Sequence, residues 1–124
     1  MPAPKETTKQ KGDDGEELAA TYLTERGYRI IDKKWKHGRY ELDLIAENAT
    51  HIVFVEVKLR YSDTFGLPWE AVNNVKRRKI CVSADAYIKK FDAEKEPRFD
   101  IISIIKMNGK CHIQHIDEAF WPMP

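Results

Sequence analysis

Two runs of strand-forming residues, "YELDLIAE" (Tyr40–Glu47) and "HIVFVEVKLR" (His51–Arg60), constrain this chain more than any other feature. They flank the turn-forming "ENAT", whose glutamate closes the first run, so the spacing predicts an antiparallel hairpin. Each run carries charge where a buried strand should be apolar: Asp43 within "ELDLI", and Glu56 and Lys58 within "VFVEVKL". Residues two apart along a strand share a face. Val53, Val55, Val57 and Leu59 thus form one apolar face of the later strand, while Ile52, Phe54, Glu56 and Lys58 form a face that turns charged. In the earlier strand, the same alternation groups Glu41, Asp43 and Ile45 against Tyr40, Leu42 and Leu44. Paired around the turn, Asp43 approaches Glu56, and two carboxylates so placed repel unless a cation lies between them.

The remaining elements follow from periodicity and punctuation. "DDGEELAATYLTERGY" sets Leu18, Ala19, Tyr22 and Leu23 at helical spacing, with Gly27 as a stop. "YRIIDKKW" reads as a strand, and "KKWKHGR" leads from it into the hairpin. "YSDTFGLPW" is a loop by its Gly and Pro, and a helix is expected over Glu70 to Phe91, with Ile80, Ala84, Tyr87 and Phe91 on one face. "EKEP" breaks that helix, "RFDIISIIKM" is a strand, "NGK" a hairpin turn and "CHIQHI" a short final strand. Phe120 and Trp121 are expected to lie on the core. The predicted class is α/β: one mixed five-stranded sheet flanked by helices, in the order α-β-β-β-α-β-β. At 124 residues this makes one domain, residues 13–124, after a mobile tail of residues 1–12 that lacks apolar periodicity.

Composition narrows the function classes. Hydrophobic residues at 42% and charged residues at 33% describe a folded, well-solvated domain. No apolar run approaches the roughly 20 residues that cross a bilayer, and no signal peptide opens the chain, so a cytoplasmic protein without a membrane partner is expected. Cys81 and Cys111 are expected as free thiols there. The net charge of +1 leaves any polyanion affinity to local clusters. One such cluster is Lys76, Arg77, Arg78 and Lys79; another is Lys33, Lys34, Lys36 and Arg39. Each could equally be a solvated face. "CHIQH" offers no zinc site, because His112 and His115 fall on opposite strand faces without a second ligand pair.

A helical acid joins the strand acids. Glu16 borders the stripe made by Ala19 and Leu23, whereas Glu17 points away from it. Asp13, three residues before Glu16, offers the plainer explanation of a capping box. For Glu56 and Lys58 the plainer explanation is charge protecting a sheet edge. Asp43 weakens both, since Asp is a poor strand former and here lies among Leu42, Leu44 and Ile45.

Asp43 followed by Glu56-Val57-Lys58 resembles the motif of the PD-(D/E)XK nuclease superfamily. The order of "GEELAATYL", "GYRIID", "ELDLIAE", "VFVEVKLR", "FGLPWEAV", Lys76 and "RFDII" resembles the YraN family of bacterial endonuclease-like proteins over roughly Gly15 to Trp121. That resemblance implies a restriction-endonuclease-like fold similar to the Holliday-junction resolvases. It further implies catalytic roles for Glu16, Asp43, Glu56 and Lys58. The metal ligands would be Asp43, Glu56, the Val57 carbonyl and Glu16, with Mg²⁺ as cofactor and Mn²⁺ as substitute. One departure is Tyr40, where the family pattern carries glycine.

Such a site would hydrolyse phosphodiester bonds in DNA, including branched or otherwise structured DNA. Mg²⁺ needs only one or two protein carboxylates, and Lys58 would offset developing negative charge. Lys76, Arg77, Arg78, Lys36 and Arg39 are the expected DNA contacts, with Lys76 ranked first because it matches a recurring lysine of the family. Resolvase-like relatives commonly pair up, which makes a homodimer an expectation. Two other classes stay open: a nucleic-acid-binding or accessory module that keeps the fold without turnover, and an interaction protein whose strand charges only guard an edge.

Overall fold

The computed structural model describes residues 8–61 and 72–120. In chain order these form α1 (Thr8–Glu25), β1 (Arg29–His37), β2 (Tyr40–Glu47), β3 (His51–Arg60), α2 (Asn74–Phe91), β4 (Glu96–Met107) and β5 (Lys110–Phe120). The class and element order are those the sequence predicts.

Local chemistry explains most element boundaries. Between β2 and β3, the Asn48 side chain accepts from the N–H groups of Thr50 (3.0 Å) and His51 (2.7 Å), which closes the turn. Asn108 and Gly109 take φ of 52° and 72° between β4 and β5, the left-handed pair that a two-residue hairpin requires. Asn73 caps α2 by accepting from the Lys76 N–H at 2.9 Å. The helix therefore starts later than the expected Glu70. The anticipated loop and Glu70 fall within residues 62–71, and Trp121 follows Phe120, so these lie outside the described residues.

The first helix differs in the other direction. It begins at Thr8, and residues 8–12, expected in the tail, extend it; residues 1–7 lie outside the described residues. Lys9, Gln10 and Lys11 are good helix formers, and a helix can continue without an apolar stripe. Asp13 consequently lies within the helix, and the capping-box explanation of Glu16 falls.

The sheet runs β1-β2-β3-β4-β5, antiparallel throughout except for the parallel β3–β4 pair. Parallel neighbours need a long crossover, and α2 lies within it. Each face of the sheet carries one helix. Ala19, Ala20 and Leu23 of α1 pack with Leu44, Ala46, Val53, Val55, Ile102 and Ile104. Ile80, Ala84 and Tyr87 of α2 pack with Ile45, Ile52, Phe54, Phe99, Ile101 and Phe120. Phe91, expected on that buried face, is half exposed at the helix end and leans on Tyr87 with ring centroids 4.5 Å apart.

A polar clamp sits within the β4 core. Asp100 is fully buried and accepts two hydrogen bonds from Arg98 (2.9 and 2.8 Å) and one from the Glu118 N–H (3.2 Å). Its carboxylate also meets His115 at 2.6 Å, and Arg98 donates to the Tyr28 hydroxyl at 2.6 Å. Burial pushes the Asp100 pKa up, but the bonds from His115 and Arg98 outweigh it and hold it below the ordinary value. The cluster ties β4 to β5 and to the entry of β1.

Candidate functional site

The site begins where β2 and β3 part. Their ladder pairs Glu47 with Ile52 and continues to Leu44 with Val55, where it ends. At the next step the Asp43 carboxylate accepts from the Val57 N–H at 2.9 Å, so a side chain replaces the backbone partner. Across on β1, the position facing Asp43 is Lys34, whose φ is 51°. Both strands change facing at this rung. Trp35 and Leu42 join the α2-side cluster, while Leu44 packs on the α1 side and Ile45 on the α2 side. The simple alternation read from the sequence, Leu42 with Leu44 and Asp43 with Ile45, is therefore corrected. The irregular rung re-aims the chain around Asp43.

Three acids converge on the fork. Glu56 is buried on β3 and receives a hydrogen bond from the Tyr40 hydroxyl. Glu16 is buried on α1, with the Lys34 ammonium 3.7 Å away. The Asp43 pKa is raised to about 8, first by burial and then by the charges of Glu56 and Glu16, against the lowering effect of the Val57 N–H and Lys76. The Glu16 pKa is raised to about 7 by burial and by Glu41 and Glu56, with Lys33 opposing. Tyr40 is likewise raised by burial and by the charge of Glu56 and Asp43. Burial and the mutual repulsion of the acids thus outweigh the lysines beside them.

Gly15 lets α1 bring Glu16 close. A Cβ at this position would stand 3.1 Å from the Leu59 Cβ, so the helix backbone runs tight against β3.

The lysines are arranged differently from the sequence reading. Lys76, expected as a phosphate contact, forms an ion pair with Glu56. Lys58 is exposed on β3. Arg77 is half-buried, its guanidinium 5.5 Å from the Phe120 ring centre. Arg78 and Arg39 are exposed and line one cavity, whereas Lys36 is exposed on β1 opposite Glu41. Among the described residues, no group of three or more His, Cys, Asp or Glu has metal-enclosing geometry. Asp43 with Glu56 is a pair of hard oxygen donors whose repulsion a cation relieves, which fits an ion that keeps most of its waters.

Sequence reasoning missed one member and gave another a different role. Lys76, expected at phosphate, pairs with Glu56, because it comes from a helix whose approach to β3 no local pattern encodes. Glu41 was grouped with Asp43, but its influence on Glu16 needs the α1 docking.

No helix among the described residues is long and apolar enough to cross a membrane. The model of Uncharacterised protein family UPF0102 matches residues 15–104, which include Glu16, Asp43, Glu56, Lys58 and Lys76. A UPF0102 protein of Phocaeicola vulgatus is 43% identical over 111 residues, covering 90% of this chain and 92% of its own. One from Bacteroides thetaiotaomicron is 44% identical over the same shares, and one from Chlorobium chlorochromatii 39% identical over 95% and 96%. The chain belongs to the UPF0102 (YraN) family.

Proposed function

We propose that this protein is a Mg²⁺-dependent endonuclease acting on DNA, with Asp43 and Glu56 as the ion's protein ligands. The observation that carries this reading is the fork itself. A sheet gives up a ladder hydrogen bond so that Asp43 stands beside Glu56, and burial with mutual repulsion raises the Asp43 pKa despite the Val57 N–H and Lys76. The Val57 carbonyl adjoins the N–H that orients Asp43 and is a further candidate ligand, and Mn²⁺ is the expected substitute ion. A bound divalent cation supplies Lewis acidity toward the phosphoryl oxygens.

The chain's own groups supply the rest. Glu16, buried beside the fork with its pKa raised by burial and by Glu41, suits a role as acid or base toward the attacking water. Lys58 is free of burial and offsets negative charge developing on the phosphate. Lys76, paired with Glu56, would compete with an ion for that carboxylate.

That same ion pair, with Lys58 held out in solvent, favours a second reading: a DNA-binding accessory module without turnover. Incubation with duplex, nicked and four-way DNA in Mg²⁺ or Mn²⁺ separates the two. The nuclease reading expects cleavage by wild type and loss of at least a hundredfold in Asp43→Asn, an effect of the size seen when a transition-state charge contact is removed. Binding without cleavage of any substrate would leave the accessory module.

A further inference from the structure

A cavity of about 360 Å³ opens between the tip of the β1–β2 hairpin and the flank of α2. Its exposed polar lining is cationic or ionisable: His37 and Arg39 from the hairpin, Arg78 and Lys79 from α2. Its less exposed walls are Tyr40 and Ser83, with the exposed Val82 completing the lining, and no acid contributes among the described residues. Tyr40 is shared with the acid cluster, because its hydroxyl donates to Glu56. Tyr40 therefore touches both this basic cavity and the fork.

The cavity is of the size that holds a small organic molecule and exceeds the needs of a lone phosphate. Its walls combine a phenol ring, an imidazole and guanidinium planes with basic charge. The His37 ring is itself held flat against Trp35, with planes 9° apart. Stacking surfaces plus cations are what a nucleobase and its phosphate require. A base within a duplex is stacked and reaches such a pocket only after extrusion, whereas an unpaired base enters at far lower cost.

We propose that this cavity takes one unpaired nucleotide of a DNA strand whose neighbouring phosphate lies at the Asp43–Glu56 fork. The inference rests on the nuclease-like reading and names its substrate class: DNA carrying an unpaired nucleotide beside the cut.

The test is binding in EDTA, which separates recognition from cleavage. Fluorescence anisotropy compares two duplexes of equal length, one fully paired and one with a single unpaired thymidine. The expected result is about tenfold tighter binding of the second, the scale of one stacked base. His37→Ala with Arg78→Ala, both exposed positions, should erase the preference more than the affinity for paired DNA. Placing 5-iodo-deoxyuridine at the unpaired position should give a photocrosslink to His37 or Tyr40. Equal affinity for the two duplexes, or a crosslink outside residues 37–40 and 78–83, overturns this inference and leaves the nuclease reading standing. Failure to bind either duplex overturns both.

Discussion

Asp43 is the residue on which the site turns, and its chemistry is readable through pH. Its pKa rises from an ordinary 3.8 to about 8 in the fold, and that of Glu16 from 4.5 to about 7. Between those values the folded state holds more protons than the unfolded chain. Stability of the metal-free protein should therefore fall as pH rises from about 4 to about 8. Asp43→Asn keeps an oxygen for the Val57 N–H and removes the charge, so it should flatten most of this slope and raise the melting temperature at pH 8 by several degrees. Thermal melts across pH check it, and an unchanged slope would show that Asp43 is not under strain. Lys76 can be tested alongside: Lys76→Gln frees Glu56 and should tighten Mn²⁺ binding severalfold in a calorimetric titration. Legibility at this scale was uneven. Asp43, Glu56 and Glu16 stood out because each acid interrupts or borders an apolar pattern. Lys76 stood out only as an expected phosphate contact, since a lysine in a basic run looks the same whether it faces water or a buried carboxylate.

At the level of elements, turn and cap residues explain why so much was readable. β2 and β3 have the bounds the pattern gives, because alternation and the Asn48 turn agree on one register. The helix starts were less readable. α1 runs back into a segment without an apolar stripe, and α2 waits for the Asn73 cap. The reversal of facing at Lys34 and Asp43 was invisible, since it depends on a side chain competing with a ladder hydrogen bond. Two predictions concern how elements are held. Gly15→Val forces α1 away from β3 and should cost about 1–3 kcal/mol by denaturant unfolding, the usual penalty of overpacking. It should also weaken cleavage through displacement of Glu16. Asp100→Asn leaves Arg98 without a buried counter-charge and His115 without its carboxylate partner, and should cost about 3–5 kcal/mol by denaturant unfolding. Wild-type stability near Asp100→Asn would remove the clamp from the account.

For the whole molecule, the α/β layers follow from the element order, yet the charge logic does not follow from composition. A net charge of +1 conceals an acid cluster on one side of Tyr40 and a basic cavity on the other. DNA affinity should fall steeply with added salt, because phosphate contacts release counterions. A flat response in anisotropy titrations would detach the basic cavity from nucleic acid.

Whether Asp43 and Glu56 hold a divalent ion decides the proposed function. Isothermal titration of Mn²⁺ into the full chain at pH 7.5, compared with Asp43→Asn, reads this without requiring turnover. Saturable binding by wild type that disappears in the variant is the predicted result; identical titrations, or no binding by either protein, would contradict it.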